Sequence, residues 1–457
     1  MCLLEAIFFP KIRPTGNPRC LLSLGQSMGL VGILPVSGKK KPVLCKQFWH
    51  GCRYTASMKQ KAQASSMEVG MSTGSLAQGP FFLLSASCYL ILANMYYAQP
   101  IVADMAQDAG LAASASGLIV TMLQVGYMLG ILFWGPLGDA VENRKLIVGM
   151  TLGAGAFLAL AALAPTAPPF LVAHLGLGMF SAVTQVVVVF AVSLAPQAAH
   201  GRALGIVTAG LFGGIVLSRP TSSLVSGLLG WRGLYAVSAV VMGSLAWTLW
   251  RRLPAVRPCG MSYVATLRSL GTVARLVRHF PLWLLISSLS FGSVTLFWTA
   301  TPVFLVRNMG CSHAEVALFS LAGLATPPCV VLAGRLLDKG CGFELRLWGT
   351  GLATVAWLLA CFAPGVALLA LAAFLLDPGV NVTTVSVQQA ILAARPEARA
   401  RCNALSVAAN FCGGALGAGL GPWLLTRHGW QTVALTGMLL LVIPFLLNLH
   451  LHHKERS

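Results

Sequence analysis

From Phe81 to its end the chain alternates apolar runs of about 20 residues with short polar connections, and each run is long enough to cross ~30 Å of hydrocarbon as a helix. Such runs lie near residues 81–103, 115–137, 145–164, 169–193, 203–228, 232–251, 281–305, 314–337, 346–363, 366–391, 403–426 and 431–450. Inside a bilayer there is no water for a free N–H or C=O, so each run must satisfy its own backbone. The sequence therefore predicts an all-α polytopic membrane protein of twelve transmembrane helices. Composition agrees: 56% of the 457 residues are hydrophobic and 9% are charged, where a soluble domain carries about a quarter charged.

The charges are lopsided, 31 Lys and Arg against 12 Asp and Glu. The cations fall between the runs, which argues for membrane topology and against a nucleic-acid surface. The even-numbered connections hold Arg144 and Lys145, Arg202, six Arg from Arg251 to Arg278, then Arg335, Lys339, Arg346, Arg395, Arg399 and Arg401; the odd ones hold Arg232, Arg307 and Arg427. Cytoplasmic loops carry the excess of Lys and Arg, so the even connections and both termini are expected in the cytoplasm. Twelve Cys are scattered without metal-ligand spacing, and are expected to be small, buried and reduced. No phosphate-binding glycine loop, paired carboxylates or nucleophile constellation points to an enzyme, a metal or a cofactor.

Residues 1–72 differ from the rest, with ten Lys and Arg, two acids and four Cys. They read as a basic cytoplasmic tail, as a targeting segment, or as sequence upstream of a later start at Met58, Met67 or Met71. No fold is expected there.

Two short charged motifs sit between apolar runs: "GPLGDAVENRKL" from Gly135, and "GRLLDK" from Gly334. They are related by an offset of 199 residues, which maps Gly135 to Gly334 and Asp139 to Asp338. The same offset takes Arg202 to Arg401, Phe212 to Phe411 and Trp231 to Trp430. Matches in three separate stretches argue for duplication. The chain divides into a six-helix half over 80–253, a cytoplasmic linker over 254–280, a second six-helix half over 281–450 and a short tail over 451–457. Two halves in the same orientation are related by an axis along the membrane normal.

"GPLGDAVENRKL" resembles the loop signature of the major facilitator superfamily, Gly-x-x-x-Asp-(Arg/Lys)-x-Gly-x-(Arg/Lys)-(Arg/Lys), with Gly135, Asp139, Arg144 and Lys145 matching and Ala140 and Glu142 departing. "NMYYAQPIVADMA", "GLLGWRGLYAV" and "ARCNALSVAANFCGGALG" are similar to a bacterial efflux-type branch of that superfamily. The resemblance covers roughly residues 80–450 and implies the major facilitator fold. It also implies a conformational clasp in which Gly135, Asp139, Arg144 and Lys145, repeated as Gly334, Asp338 and Lys339, hold one state of a two-state carrier. Physically, Gly135 and Gly138 would let backbones approach, and an interfacial ion pair is weak enough to break in each cycle. Arg144 and Lys145 are also compatible with being plain topological anchors instead.

Two ionisable residues fall deep inside runs: Arg219 in span 5 and Asp377 in span 10. A charge at mid-membrane costs about 2.5–3.5 kcal/mol or more, so it faces a polar cavity and has a role. Neither has a charged partner at the 199 offset, where Ala418 and Gly178 stand. A carboxyl that loses solvent gains a proton and one that meets a cation gives it up, which suits Asp377 for proton coupling. Pro378 and Gly379 would loosen its helix. Arg219 lies at a comparable depth and is expected to sense Asp377 or an anionic substrate; either residue alone is also compatible with local packing. "AGLFGGIVLSRPTSSLVSG" is partly similar to the family's antiporter motif. His174 stands where proton-linked relatives carry an Arg, and reads either as a proton carrier or as a packing residue.

In the family's fold, spans 1, 4, 7 and 10 line the central path. The resemblance therefore offers Asn94, Tyr96, Tyr97, Gln99, Gln185, Trp298, Asn381, Gln388 and Gln389 as substrate contacts, with the Tyr pair equally compatible with an interfacial belt. Three His in "HLHHKERS" suit a flexible tail better than a metal trap. The expected function is proton-coupled export of a small organic molecule, drug or metabolite, by an antiporter in the inner membrane, working as a monomer without metal or cofactor. Uptake or exchange of an organic anion and a non-transporting membrane sensor are the alternatives.

Overall fold

In the computed structural model, which describes residues 78–138, 141–256, 263, 279–362, 365–394 and 398–456, the apolar runs are helices. The extension 1–72, Asp139 and most of the linker 254–280 lie outside the described residues. Ten helical stretches there are long and apolar enough to cross a membrane. One of them, 197–252, breaks at Gly230 (φ 70°, ψ 163°) into two helices. Gly342–Cys361, of 20 residues, lies between the eighth and ninth spans thus counted. The total is twelve.

In chain order the spans are Gln78–Tyr96, Gly117–Leu137, Asn143–Leu163, Ala167–Leu194, 200–229 and 231–252, then Phe280–Met309, His313–Leu337, Gly342–Cys361, Val366–Ala394, Arg399–His428 and Trp430–Arg456. They form two parallel six-helix halves. Span 1 is shorter than its apolar run. Pro100 has no N–H, and its ring would meet the carbonyl of Tyr96. The helix stops at Tyr96, the chain turns through 97–101, and a separate short helix Val102–Asp108 follows. Span 8 is interrupted too. Pro327 and Pro328 cannot donate to the carbonyls one turn earlier, and Leu321–Ala325 is wound as a tighter 3-10 segment.

The 199-residue repeat is structural. A Cβ at Gly214 in span 5 would collide with the carbonyl of Tyr89 in span 1, and a Cβ at Gly413 in span 11 with that of Ser288 in span 7. Both glycines and both partners are related by the same offset. Small residues of this kind let membrane helices pack backbone to backbone. The breaks repeat as well: Gly429 (φ 79°) separates spans 11 and 12 as Gly230 separates spans 5 and 6.

Contacts between the halves concentrate near the odd-numbered connections and the membrane middle. His313 Nε2 lies 3.8 Å from Asp104 Oδ2, and Gly227 faces the His313 ring. Gly117 packs on the Ala418 backbone. Deeper in, Thr121 donates to the Ala415 carbonyl (2.9 Å) and Tyr127 stacks on Phe411 (4.2 Å). Burial pushes the Asp104 carboxyl above its ordinary range, while His313 pulls it back.

Three expectations change. The C-terminal segment is not a loose tail: the last helix runs to Arg456, Leu451 is buried, and His452 stacks on Phe343. The cysteines are not uniformly buried, since Cys412 is exposed and Cys329 and Cys361 are half-buried; Cys88 and Cys402 are enclosed. Gly135 and Gly138 do not bring helix backbones together among the described residues: a Cβ at Gly135 meets nothing within 4 Å, and one at Gly138 meets other helices only at side chains 3.9 Å away.

Candidate functional site

The two intramembrane charges meet. Arg219 Nη1 lies 3.6 Å from Asp377 Oδ2, and both side chains are almost fully buried. Span 5 belongs to one half and span 10 to the other, so this ion pair bridges the halves. A second polar layer fixes it. Trp298 of span 7 donates from Nε1 to Asp377 Oδ1 (3.2 Å), and Arg219 donates from Nε to Gln99 Oε1 (2.9 Å). The guanidinium lies over the Trp298 ring, 4.0 Å from its centre, and 5.4 Å from that of Tyr96. Cation and ring quadrupole attract, more strongly where water is excluded.

Local structure explains the placement. Gln99 reaches Arg219 because the chain leaves the helix after Tyr96, so the turn before Pro100 folds inward. Gly323, in the 3-10 segment of span 8, sits against the pair: a Cβ there would stand 3.2 Å from Asp377 Oδ2 and 3.5 Å from Arg219 Nη1. The Asn381 amide donates back to the Asp377 carbonyl (2.8 Å), one turn along span 10. That is an ordinary side-chain bond within a helix, and it holds the amide beside the charge.

The pair forms one wall of a small cavity lined by Tyr96, Gln99, Ile215, Arg219, Phe291, Val294, Thr295, Trp298, Asp377 and Asn381. Tyr96, Gln99, Trp298 and Asn381 are among the substrate contacts expected from the sequence, and they come together here. The other expected contacts are elsewhere. Tyr97 turns toward Ser238 of span 6. The Gln185 amide donates to the Tyr127 hydroxyl, and that of Gln388 to the Asn403 side chain. Asn94 is buried, and its Nδ2 has no partner among the described residues. His174 is enclosed away from the cavity, with Nδ1 at the Phe170 carbonyl (2.8 Å) and Nε2 at the Tyr235 hydroxyl (3.2 Å).

Sequence reasoning missed Phe291, Val294 and Thr295. Their signal was spacing: with Trp298 they stand at i, i+3, i+4 and i+7, one face of a helix. Ile215, one turn before Arg219, follows the same rule. Gly323 had no signal, because its importance lies in what it leaves room for.

At the opposite end of the bundle, Glu142 holds the cations of the loop motif, 3.5 Å from Arg144 Nε and 3.3 Å from Lys145 Nζ. Arg144 also lies over Trp250 (4.7 Å). Glu142 is one of the two positions that depart from the signature. Asp338 and Lys339 are exposed at the end of span 8.

The Major Facilitator Superfamily pattern matches residues 82–376 and, in a second match, 283–457. The chain belongs to the major facilitator superfamily. It is 31% identical over 378 residues to the uncharacterized transporter YgaY of Escherichia coli O157:H7, covering 82% of this chain and 96% of that one. It is 24% identical over 306 residues to a chloramphenicol resistance protein of Pseudomonas aeruginosa, covering 65% and 67%. Among solved structures, a bacterial homolog of the human lysosomal transporter Spinster, inward-facing and occupied, superimposes with a TM-score of 0.65 at 14% identity, covering 84% of this chain and 98% of that one. As a major facilitator protein the chain is a multi-pass membrane transporter. Its second pattern match coincides with the second half of the repeat.

Proposed function

We propose that this major facilitator protein is a proton-coupled carrier of small organic molecules in the inner membrane, and that the Arg219–Asp377 pair couples the proton to the rocking of its halves. The observation that carries this is the ion pair bridging spans 5 and 10 beside the central cavity. Alternating access requires the halves to part on the side where they now touch. That motion pulls Arg219 from Asp377, and separated charges in a low-dielectric interior are costly. A proton on Asp377 removes the attraction, and Arg219, which keeps its charge, then needs water or another partner in the opened site. Proton binding and opening are then linked through one carboxyl.

Positive loops between even-numbered spans support an arrangement with both termini in the cytoplasm. The contacts near the odd-numbered connections would then close the outer side. Export is the direction supported by the likeness to a chloramphenicol resistance protein. A second reading, uptake of an organic anion with its proton, is favoured by one observation: Arg219 Nη1 is buried and has no hydrogen-bond partner among the described residues.

Everted vesicles with an imposed pH gradient test the reading. A dye reports proton movement as drugs and metabolites, anions included, are added to wild type and Asp377→Asn. The expected result is a compound that moves protons in wild type and not in the variant. Proton movement of equal size in both would remove Asp377 from the coupling.

A further inference from the structure

The charge state of the cargo is written in the donors that Arg219 leaves unused. A guanidinium has five N–H donors and cannot give up its charge. Here Nε is engaged by Gln99, while Nη1 is buried and has no hydrogen-bond partner among the described residues. Its 3.6 Å separation from Asp377 Oδ2 is beyond a hydrogen bond. A buried donor left without a partner is costly, and more so for a charged group. Asp377, by contrast, does not depend on Arg219 to stay in place, because Trp298 holds its other oxygen. The pair is loose at the contact between its own two charges.

We infer that the cavity takes an organic anion, a carboxylate on a flat apolar body, whose oxygens replace Asp377 at Nη1 of Arg219 while Asp377 takes up a proton. The inference rests on the reading of this cavity as the transport site. The fork of a guanidinium matches a carboxylate in a bidentate pair. Ile215, Phe291 and Val294 offer an apolar wall for the body, and Thr295 and Asn381 a polar edge.

Charge counting sets the stoichiometry. The pair is neutral as it stands. An arriving anion leaves two carboxylates sharing one cation, and like charges in one site force a proton onto one of them. With Asp377 protonated the site is neutral again. Anion and proton therefore bind together, each strengthening the other's affinity by the same factor. A cationic cargo would lie against Arg219, and a neutral one would offer Nη1 a hydrogen bond without the charge and paired oxygens of a carboxylate. Moving together, the two would run inward down a proton gradient, which favours the uptake reading over export.

The test is binding to the purified full chain in detergent, by calorimetry, with three probes of one shape: 2-naphthoate, 2-naphthylmethanol and 2-naphthylmethylamine. The expected result is naphthoate at least about tenfold tighter than the alcohol, and the amine weakest. Repeating the titration in buffers of different ionisation enthalpy should show about one proton taken up per naphthoate. Asp377→Asn should bind naphthoate with no proton uptake, and Arg219→Lys, which keeps the charge and loses the fork, should bind it more weakly; melting curves verify that both are folded. Equal or tighter binding of the alcohol or amine to wild type would overturn the inference, as would no binding of any probe or uptake of no proton. Binding in detergent needs no transport. Naphthoate that binds but never crosses vesicle membranes would sink the carrier reading alone, whereas pH-linked flux of cations would sink the anion inference alone.

Discussion

The two halves of this carrier share their joints and differ in their chemistry. Gly214 on Tyr89 in one half is Gly413 on Ser288 in the other. The Gly230–Trp231 break is the Gly429–Trp430 break. Yet Arg219 stands where the second half has Ala418, and Asp377 where the first half has Gly178. Those counterparts are not idle. Gly178 packs on the backbone of Leu123, and Ala418 on Gly117. At the same register, one half uses the position for helix contact and the other for a charge. Duplication supplied a symmetric frame, and the charges came by departing from it at two positions that face one another across the halves.

The sharpest way to break this contrast is to remove one charge and then both. Asp377→Ala or Arg219→Ala strands its partner in a buried site, a loss of about 3–5 kcal/mol, and should abolish coupled transport. Replacing both, Arg219→Met with Asp377→Leu, should recover most of the stability and none of the transport. Thermal unfolding in detergent together with flux in vesicles reads the two effects apart. A double variant as unstable as the singles would mean that the pair is a structural tie.

The shared joints should respond in the same direction. Gly214→Ala and Gly413→Ala each push a methyl into a facing backbone, and overpacking of this kind costs about 1–3 kcal/mol. Both should lower the melting temperature, Gly413→Ala the more, because its methyl would press deeper into the facing carbonyl and also meets the Ser288 hydroxyl. A drop confined to one half would show that the repeat is no longer mechanically symmetric.

The smallest effect is at the duplicated tryptophans. The Trp231 indole donates to Asp108 Oδ2 (2.9 Å), and that of Trp430 to the Ala360 carbonyl (2.8 Å). Changing either to Phe keeps most of the packing and removes one bond, about 0.5–1.5 kcal/mol. Asp108 also receives Arg232 at 2.7 Å, so Trp231→Phe should cost less than Trp430→Phe in the same melting assay. The reverse order would mean that the half-exposed acid gains more from its indole than a buried carbonyl does.

Much of this was legible before folding. Length and apolarity set the number of spans, because lipid leaves a chain few other options. Loop cations set a topology to test. The 199-residue offset announced the repeat, down to glycines whose contacts it did not describe. Arg219 and Asp377 stood out because a charge in hydrocarbon needs a reason. What stayed hidden was which way each helix faces. In water an apolar stripe marks the buried side. In lipid both the packed side and the outer side are apolar, as the exposed Leu163, Val189 and Trp348 show, and the stripe vanishes. Tyr97, Gln185 and Gln388 are polar residues on path-lining spans, and they turn to neighbouring helices instead of to the cavity.

The sequence alone thus determined the class of fold, its duplication and the two residues that carry charge, since each follows from the energy of placing a residue type in lipid. Only the tertiary structure decided that those two charges meet across the halves. It decided too that Gln99 and Trp298 hold them, and that Gly323 leaves them room. Those outcomes depend on helix rotation and on two proline-made breaks, in spans 1 and 8, and rotation is set by side-chain packing that no hydropathy pattern records.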